Sequence, residues 1–295
     1  MHVIPGENSP FLPSSLTGQI AGVGRVLFGI AILAFGVQNL VWAHFVGEPS
    51  VPIIPWVPGQ PWLAYLTGIF LIAAGTFLVA NFRAQLAAIA TGILFLLCDL
   101  LLQLPQSVAS PLDVGVRTTA FETLAMCGSA WILAGALPLN EADSPWLESV
   151  ASLLAKLGLV LFAISSVVFG IDHFLVLGVI VSLVPHWIPG SGLFWAYVTG
   201  LGFIAAGVSM LAGRVLRFAG SGMLGVMFML WFLVLHGPRV LSYPRSHNPH
   251  EWSSAFIALA MCGGSWICAG TLTDLRSRRA SPIAEDLASP KHVTA

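Results

Sequence analysis

Long apolar runs separated by short polar breaks dominate this chain, and they are too long for strands. Eight runs, at about 20–45, 62–80, 84–104, 118–138, 153–178, 193–212, 215–236 and 252–272, are long enough to cross about 30 Å of hydrocarbon as helices. The pattern predicts an all-α integral membrane fold with eight transmembrane helices. Between the first two runs, prolines at 49, 52, 55, 58 and 61 forbid regular helix. Irregular backbone at membrane depth is tolerated only against protein or a wet cavity. This loop is therefore expected to cap the helices or dip between them.

The loop has a counterpart. "IPWVPGQPWLAYLTG" at 54–68 returns as "VPHWIPGSGLFWAYVTG" at 184–200. "FG" at 35 and 169, "IAAG" at 72 and 204, "AMCG" at 125 and 260, and "AG" at 134 and 269 recur at offsets of 132 to 135. The chain reads as two tandem four-helix units, at 20–140 and 153–272, joined by a linker at 141–152. A cytoplasmic segment at 1–19 precedes them and a disordered cytoplasmic tail at 273–295 follows. Four spans is an even number, so the copies share one orientation about an axis along the membrane normal. The expected architecture is two parallel-repeat four-helix bundles with irregular Pro/Trp-rich outer loops. Helices in lipid associate by close packing, which small residues allow. Gly24, Gly29, Gly36, Gly75, Gly207, Gly220, Gly222, Gly225, Gly263 and Gly264 are placed for that purpose.

Composition fixes the solvent. With 57% apolar and 8% charged residues and a mean hydropathy of +0.88, the chain has too little polar surface to coat a soluble globule. The lipid bilayer is its main partner, and no nucleic acid is expected. With a cytoplasmic N-terminus, nine of the twelve Lys and Arg residues fall inside: Arg25, Arg83, Lys156, Arg214, Arg217, Arg276, Arg278, Arg279 and Lys291. Arg117, Arg239 and Arg245 fall outside, a positive-inside bias that puts both termini in the cytoplasm. The N-terminal stretch lacks a basic region leading into a short apolar core and cleavage site, so the first span is expected to be retained. Cys98, Cys127, Cys262 and Cys268 lie in apolar runs without a C-x-x-C pair and read as packing residues.

Ionisable residues in spans are costly and mark functional sites. In the first copy these polar candidates are Asn39, Asp99, Gln103, Arg117 and Glu122, near the outer helix ends. Asp99 and Gln103 share a helix face, and Arg117 and Glu122 open the next span within pairing reach. The second copy offers Asp172, His173, His186, His236, Arg239 and Glu251, with His250 beside the last of these. Asn39 aligns with His173 and Gln103 with His236, so one half is histidine-rich and the other amide-substituted. Trp56, Trp62, Trp187, Trp195, Tyr65 and Tyr197 form an interfacial aromatic belt or wall a pocket at each bundle mouth.

The second half, "FGIDHF…VPHWIPG…FWAYVTG…LHGPR…EWSSAFIALAMCGG", resembles the DoxX-like group of four-helix membrane proteins. The shared elements are Gly-x-x-His-Phe, a P-x-W-x-P loop, His-x-Pro-Arg and a late Glu-Trp. The resemblance covers about 155–272 closely and 22–138 more weakly, since the first half lacks the histidines and the Glu-Trp. It implies a fused pair of units in the bacterial cytoplasmic membrane, associated with quinone-linked sulfur or thiol oxidation.

Three functions fit these residues. An outer pocket in the second half would bind a quinone or similar redox headgroup. His173 and His236 would then hydrogen-bond its carbonyl oxygens, Asp172 or Glu251 relay protons, and Trp195 and Tyr197 flank the ring, with His186 on the lid. Alternatively, the repeats form a transporter or lipid-handling path, or the chain is a non-catalytic membrane subunit docking a partner enzyme, with a small molecule or a redox protein as the possible partner. Haem held by His173 and His236 is a further possibility, but without an H-x-x-x-H pair no compact metal site is expected.

Overall fold

The structure is a computed structural model, which describes residues 14–43, 60–137, 145–242 and 250–271. The first copy's loop with Trp56, most of the N-terminal segment, Arg245 and the charged tail lie outside the described residues. The described residues are helical and include no strand. The elements are α1 (Ser14–Trp42), α2 (Gln60–Ala80), α3 (Ala84–Cys98), α4 (Leu104–Ala109), α5 (Val114–Ala136), α6 (Pro145–Leu175), α7 (Leu177–Leu183), α8 (Gly192–Ala212), α9 (Arg214–Leu230), α10 (Gly237–Ser242) and α11 (His250–Gly270). A π-helical turn, Asp99–Gln103, joins α3 to α4, and another, Trp231–His236, joins α9 to α10.

Among the described residues, seven helices are long and apolar enough to cross a membrane. The eighth expected span, at 118–138, is the 23-residue helix α5, which falls outside those seven. Its sequence carries Arg117, Glu122 and several Thr, Ser and Gly residues, and more than half of it is buried in protein. A helix sheathed by other helices does not need a lipid-compatible surface. Helix α6 starts at Pro145, inside the stretch 141–152 expected as a linker, with Glu148 in its first turn. Proline at a helix start and an acid near it both favour helix there.

The helices close into a ring. α1 packs on α2, α2 on α3, α3 on α5, α5 on α6, α6 on α8, α8 on α9, α9 on α11, and α11 back on α1. α5 and α11 also meet across the middle. The α11 span is 78% buried, against 22–44% for the other six, so it lies at the protein centre rather than in lipid.

Glycines set the closest approaches. A Cβ on Gly24 would lie 2.7 Å from the Gly263 carbonyl oxygen, and one on Gly128 would lie 2.6 Å from that of Gly158. The crossings Gly36–Gly68 and Gly170–Gly200 are as tight. Indoles fill two other such gaps, Trp131 over Gly92 and Trp266 over Gly225. Of the glycines assigned to packing, Gly222 is the exception: a Cβ there would meet nothing within 4 Å, although Trp266 Nε1 donates to its carbonyl oxygen at 3.3 Å.

Candidate functional site

Where α6 crosses α5, the structure gathers charged groups in the interior. Asp172 and His173 lie on the last two turns of α6 and are 3% and 7% exposed. Asp172 Oδ1 accepts from Arg117 Nε at 3.0 Å and Nη2 at 2.5 Å. Thr118 Oγ1 lies 2.9 Å from Asp172 Oδ2 and 2.8 Å from the Val114 carbonyl oxygen. One hydroxyl proton serves either acceptor but not both at once. Asp113 caps α5 just before this point, accepting from the backbone N–H groups of Gly115 and Val116. The cap fixes the register that aims Arg117 and Thr118 at α6. Arg117 therefore pairs across to Asp172, not back to Asp99 or Gln103 as its place in the chain suggested. Helix α5 lies between α3 and α6, and this part of it faces α6.

His173 is held differently. Its Nδ1 lies 2.7 Å from the Phe169 carbonyl oxygen. A carbonyl only accepts, so Nδ1 carries the proton and a neutral imidazole presents Nε2 as a lone pair. Nε2 is buried and has no hydrogen-bond partner among the described residues. The ring stacks on Trp231 at 5.7 Å between centroids and 20° between planes, with Phe203 tilted against it at 5.0 Å.

These residues surround a cavity of about 110 Å³, whose polar lining is Thr118, Glu122, Asp172 and His173. The apolar walls include Phe203, Phe228 and Trp231, while Val176 and Ile180 come from the α6–α7 break and from α7. Such a volume holds one small ring or a few waters. It falls well short of the roughly 300 Å³ at which drug-sized pockets begin.

The expected grouping of His173 with His236, Trp195 and Tyr197 is not found around this cavity. Trp195 Nε1 donates to the Pro189 carbonyl oxygen at 2.8 Å, pinning the outer loop. Tyr197 is half-exposed and its ring meets Phe174. His186 and Trp187 are exposed on the same loop. His236 ends the second π turn beside Arg239 and His250, and its buried Nδ1 has no hydrogen-bond partner among the described residues. Glu251 is half-buried in the first turn of α11. In the first half, Asn39 Nδ2 donates to Thr67 Oγ1 at 3.1 Å, and Asp99 and Gln103 are both buried on their π turn. Glu122, grouped above with the first-half candidates, lines the cavity.

Sequence reasoning passed over Thr118, Phe203, Phe228 and Trp231. Thr118 and Glu122 are one helical turn apart on the same face, and that spacing was the available signal. The described residues contain no group of three or more His, Cys, Asp or Glu placed to hold a metal ion. No model of a known protein family, no curated protein and no solved structure matches the chain.

Proposed function

We propose that this chain is a polytopic membrane protein whose α5–α6 cavity holds a single hydroxylated ring of the hydroquinone type. It would consist of two tandem four-helix units with eight spans, in line with its resemblance to DoxX-like proteins, in the bacterial cytoplasmic membrane with both termini cytoplasmic. The helix pairings favour the duplication. Exchanging α1, α2, α3 and α5 with α6, α8, α9 and α11 converts each neighbour pair of the ring into another neighbour pair.

The observation that carries the ligand reading is His173 Nε2, an unpartnered acceptor among aromatic rings at the cavity. An acceptor recognises an O–H, so the reduced, hydroxyl-bearing ring suits it better than the carbonyl-bearing oxidised one. Imidazole exchanges protons near neutral pH, which fits it to take the proton that the hydroxyl releases. Glu122 lies on the same lining to meet the second hydroxyl. Asp172 is already held by Arg117 and Thr118, and so shapes the wall. The small volume admits one ring, and any tail would leave past Val176 and Ile180.

The test is equilibrium binding of a short-chain hydroquinone to detergent-purified protein. His173→Phe keeps an aromatic ring and removes the acceptor. It is expected to weaken binding about tenfold, the equivalent of one lost hydrogen bond. Asn39→Ala and Gln103→Ala should bind as wild type. Equal affinity for His173→Phe and wild type would remove the proposal, as would preference for the oxidised ring.

A further inference from the structure

His236, Arg239, His250 and Glu251 stand out in the sequence, and the α5–α6 cavity uses none of them. His236 ends the second π turn and Arg239 follows three residues later in α10, so the two lie one turn apart on the same face. Helix α11 packs against both the π turn and α10. Its first residue, His250, comes within electrostatic reach of His236, as Arg239 does. His236 and Arg239 are half-buried and His250 is exposed, so the group runs from the helix ends to the surface. The His236 Nδ1 is buried and has no hydrogen-bond partner among the described residues.

What this group lacks is a counter-charge. The stretch Arg214–Ser242 contains no acid, and the one carboxylate on α11 is Glu251. Glu251 makes neither an ion pair nor a hydrogen bond with Arg239 or His236 among the described residues. Arg117 is the contrast: it too stands near the end of its helix, but Asp172 holds it. An arginine in an apolar span is costly unless paired, and neighbouring imidazoles add repulsion whenever they are charged. An anion from outside the chain would complete such a group. A guanidinium presents a planar fork of N–H donors, and an imidazole presents an N–H in either protonation state. Donors arriving from two helices suit a tetrahedral oxyanion, which has more oxygens to share among them than a planar carboxylate. We infer that His236, Arg239 and His250 form a phosphate-binding site where α10 meets the start of α11. The ligand is a phosphate group, carried by a lipid head or present as the free ion, and the inference stands whether or not the α5–α6 cavity binds a ring.

Two probes test it on the full chain, purified in a phosphate-free maltoside detergent. Inorganic phosphate is titrated calorimetrically, and phosphatidylglycerol adducts are measured by native mass spectrometry. Saturable binding of inorganic phosphate marks a site for the free ion, and binding of phosphatidylglycerol alone marks a lipid-head site; either result supports the inference. Whichever probe binds should bind about tenfold more weakly to Arg239→Gln, the equivalent of one lost charge-assisted hydrogen bond. Arg83→Gln, at an exposed arginine just before α3, should change binding less than about twofold. A second measurement needs no variant, so it decides the matter even if Arg239→Gln misfolds. Phenylglyoxal modifies arginine side chains, and peptide mapping should find that the bound probe shields Arg239 far more than Arg83. Failure of both probes to bind, equal binding to a folded Arg239→Gln protein, or equal shielding of the two arginines would overturn the inference.

Discussion

Gly207 and Gly202 lie on α8 little more than a turn apart and make opposite predictions for the same substitution. A Cβ on Gly207 would lie 2.6 Å from the Ala163 carbonyl oxygen and 2.7 Å from Val167 Cγ2, both on α6. A Cβ on Gly202 would meet nothing within 4 Å. Ordinary contact begins at 3.4 Å, so Gly207→Ala must push α8 and α6 apart by about 0.8 Å or strain the backbone. Overpacking of this kind costs about 1–3 kcal/mol. Both variants gain the same helix-propensity benefit, about 1 kcal/mol for Gly to Ala. That benefit cancels in the comparison, which therefore reads the overpacking directly. Thermal unfolding in mild detergent should place Gly207→Ala about 2–9 °C below Gly202→Ala, at roughly 2–3 °C per kcal/mol for a chain of this length. Gly207→Leu should fall lower still. Coincident midpoints for the two Ala variants would refute the claimed helix contact and mean that Gly207 faces lipid.

The ion pair at the cavity should behave as a unit. In a double-mutant cycle on Arg117→Ala and Asp172→Ala, the coupling measured by unfolding midpoints should be about 1–3 kcal/mol, whereas zero coupling would mean that solvent screens the pair. Topology gives an independent check. Single cysteines replacing Gly115 and Ala280 should be labelled from opposite sides of the membrane, and labelling from one side would discard the orientation.

The long apolar runs made most helices legible, because a span in lipid has few ways to satisfy its backbone other than as helix. Helix α5 was legible as a helix but not as a buried one, since its Arg117, Glu122 and small residues acquire meaning only from what surrounds them. The close glycine contacts were legible for the same reason that Gly222 misled. Small residues permit approach, but the helix face decides whether a neighbour is there. Asp172 and His173 stood out as ionisable groups in an apolar run, yet the partner of Arg117 did not, because α5 turns it toward α6 and away from the segment just before it. The π turns left no sequence mark. One of them bears Trp231, which is an ordinary span residue until its ring lies along His173.

On the two-copy reading proposed above, the asymmetry between the halves concentrates at one pair of matched crossings. Across α5 and α6, Thr118 meets Asp172 at 2.9 Å. Across α11 and α1, Ser253 donates to Gln38 at 2.9 Å. The geometry is the same, a hydroxyl on the inner helix against a polar head on the outer one. The charges differ together: where Arg117 and Asp172 stand in one crossing, Trp252 and Gln38 stand in the other. Losing one partner of a buried pair strands the remaining charge, at a cost of several kcal/mol when the site is dry. Acid and base are therefore retained or replaced as a pair. The neighbouring position follows them, with His173 beside the charged crossing and Asn39 beside the neutral one. On the ring-binding reading proposed above, the imidazole thus sits beside a charge that is already compensated, while the amide-lined crossing keeps neutral hydrogen bonds.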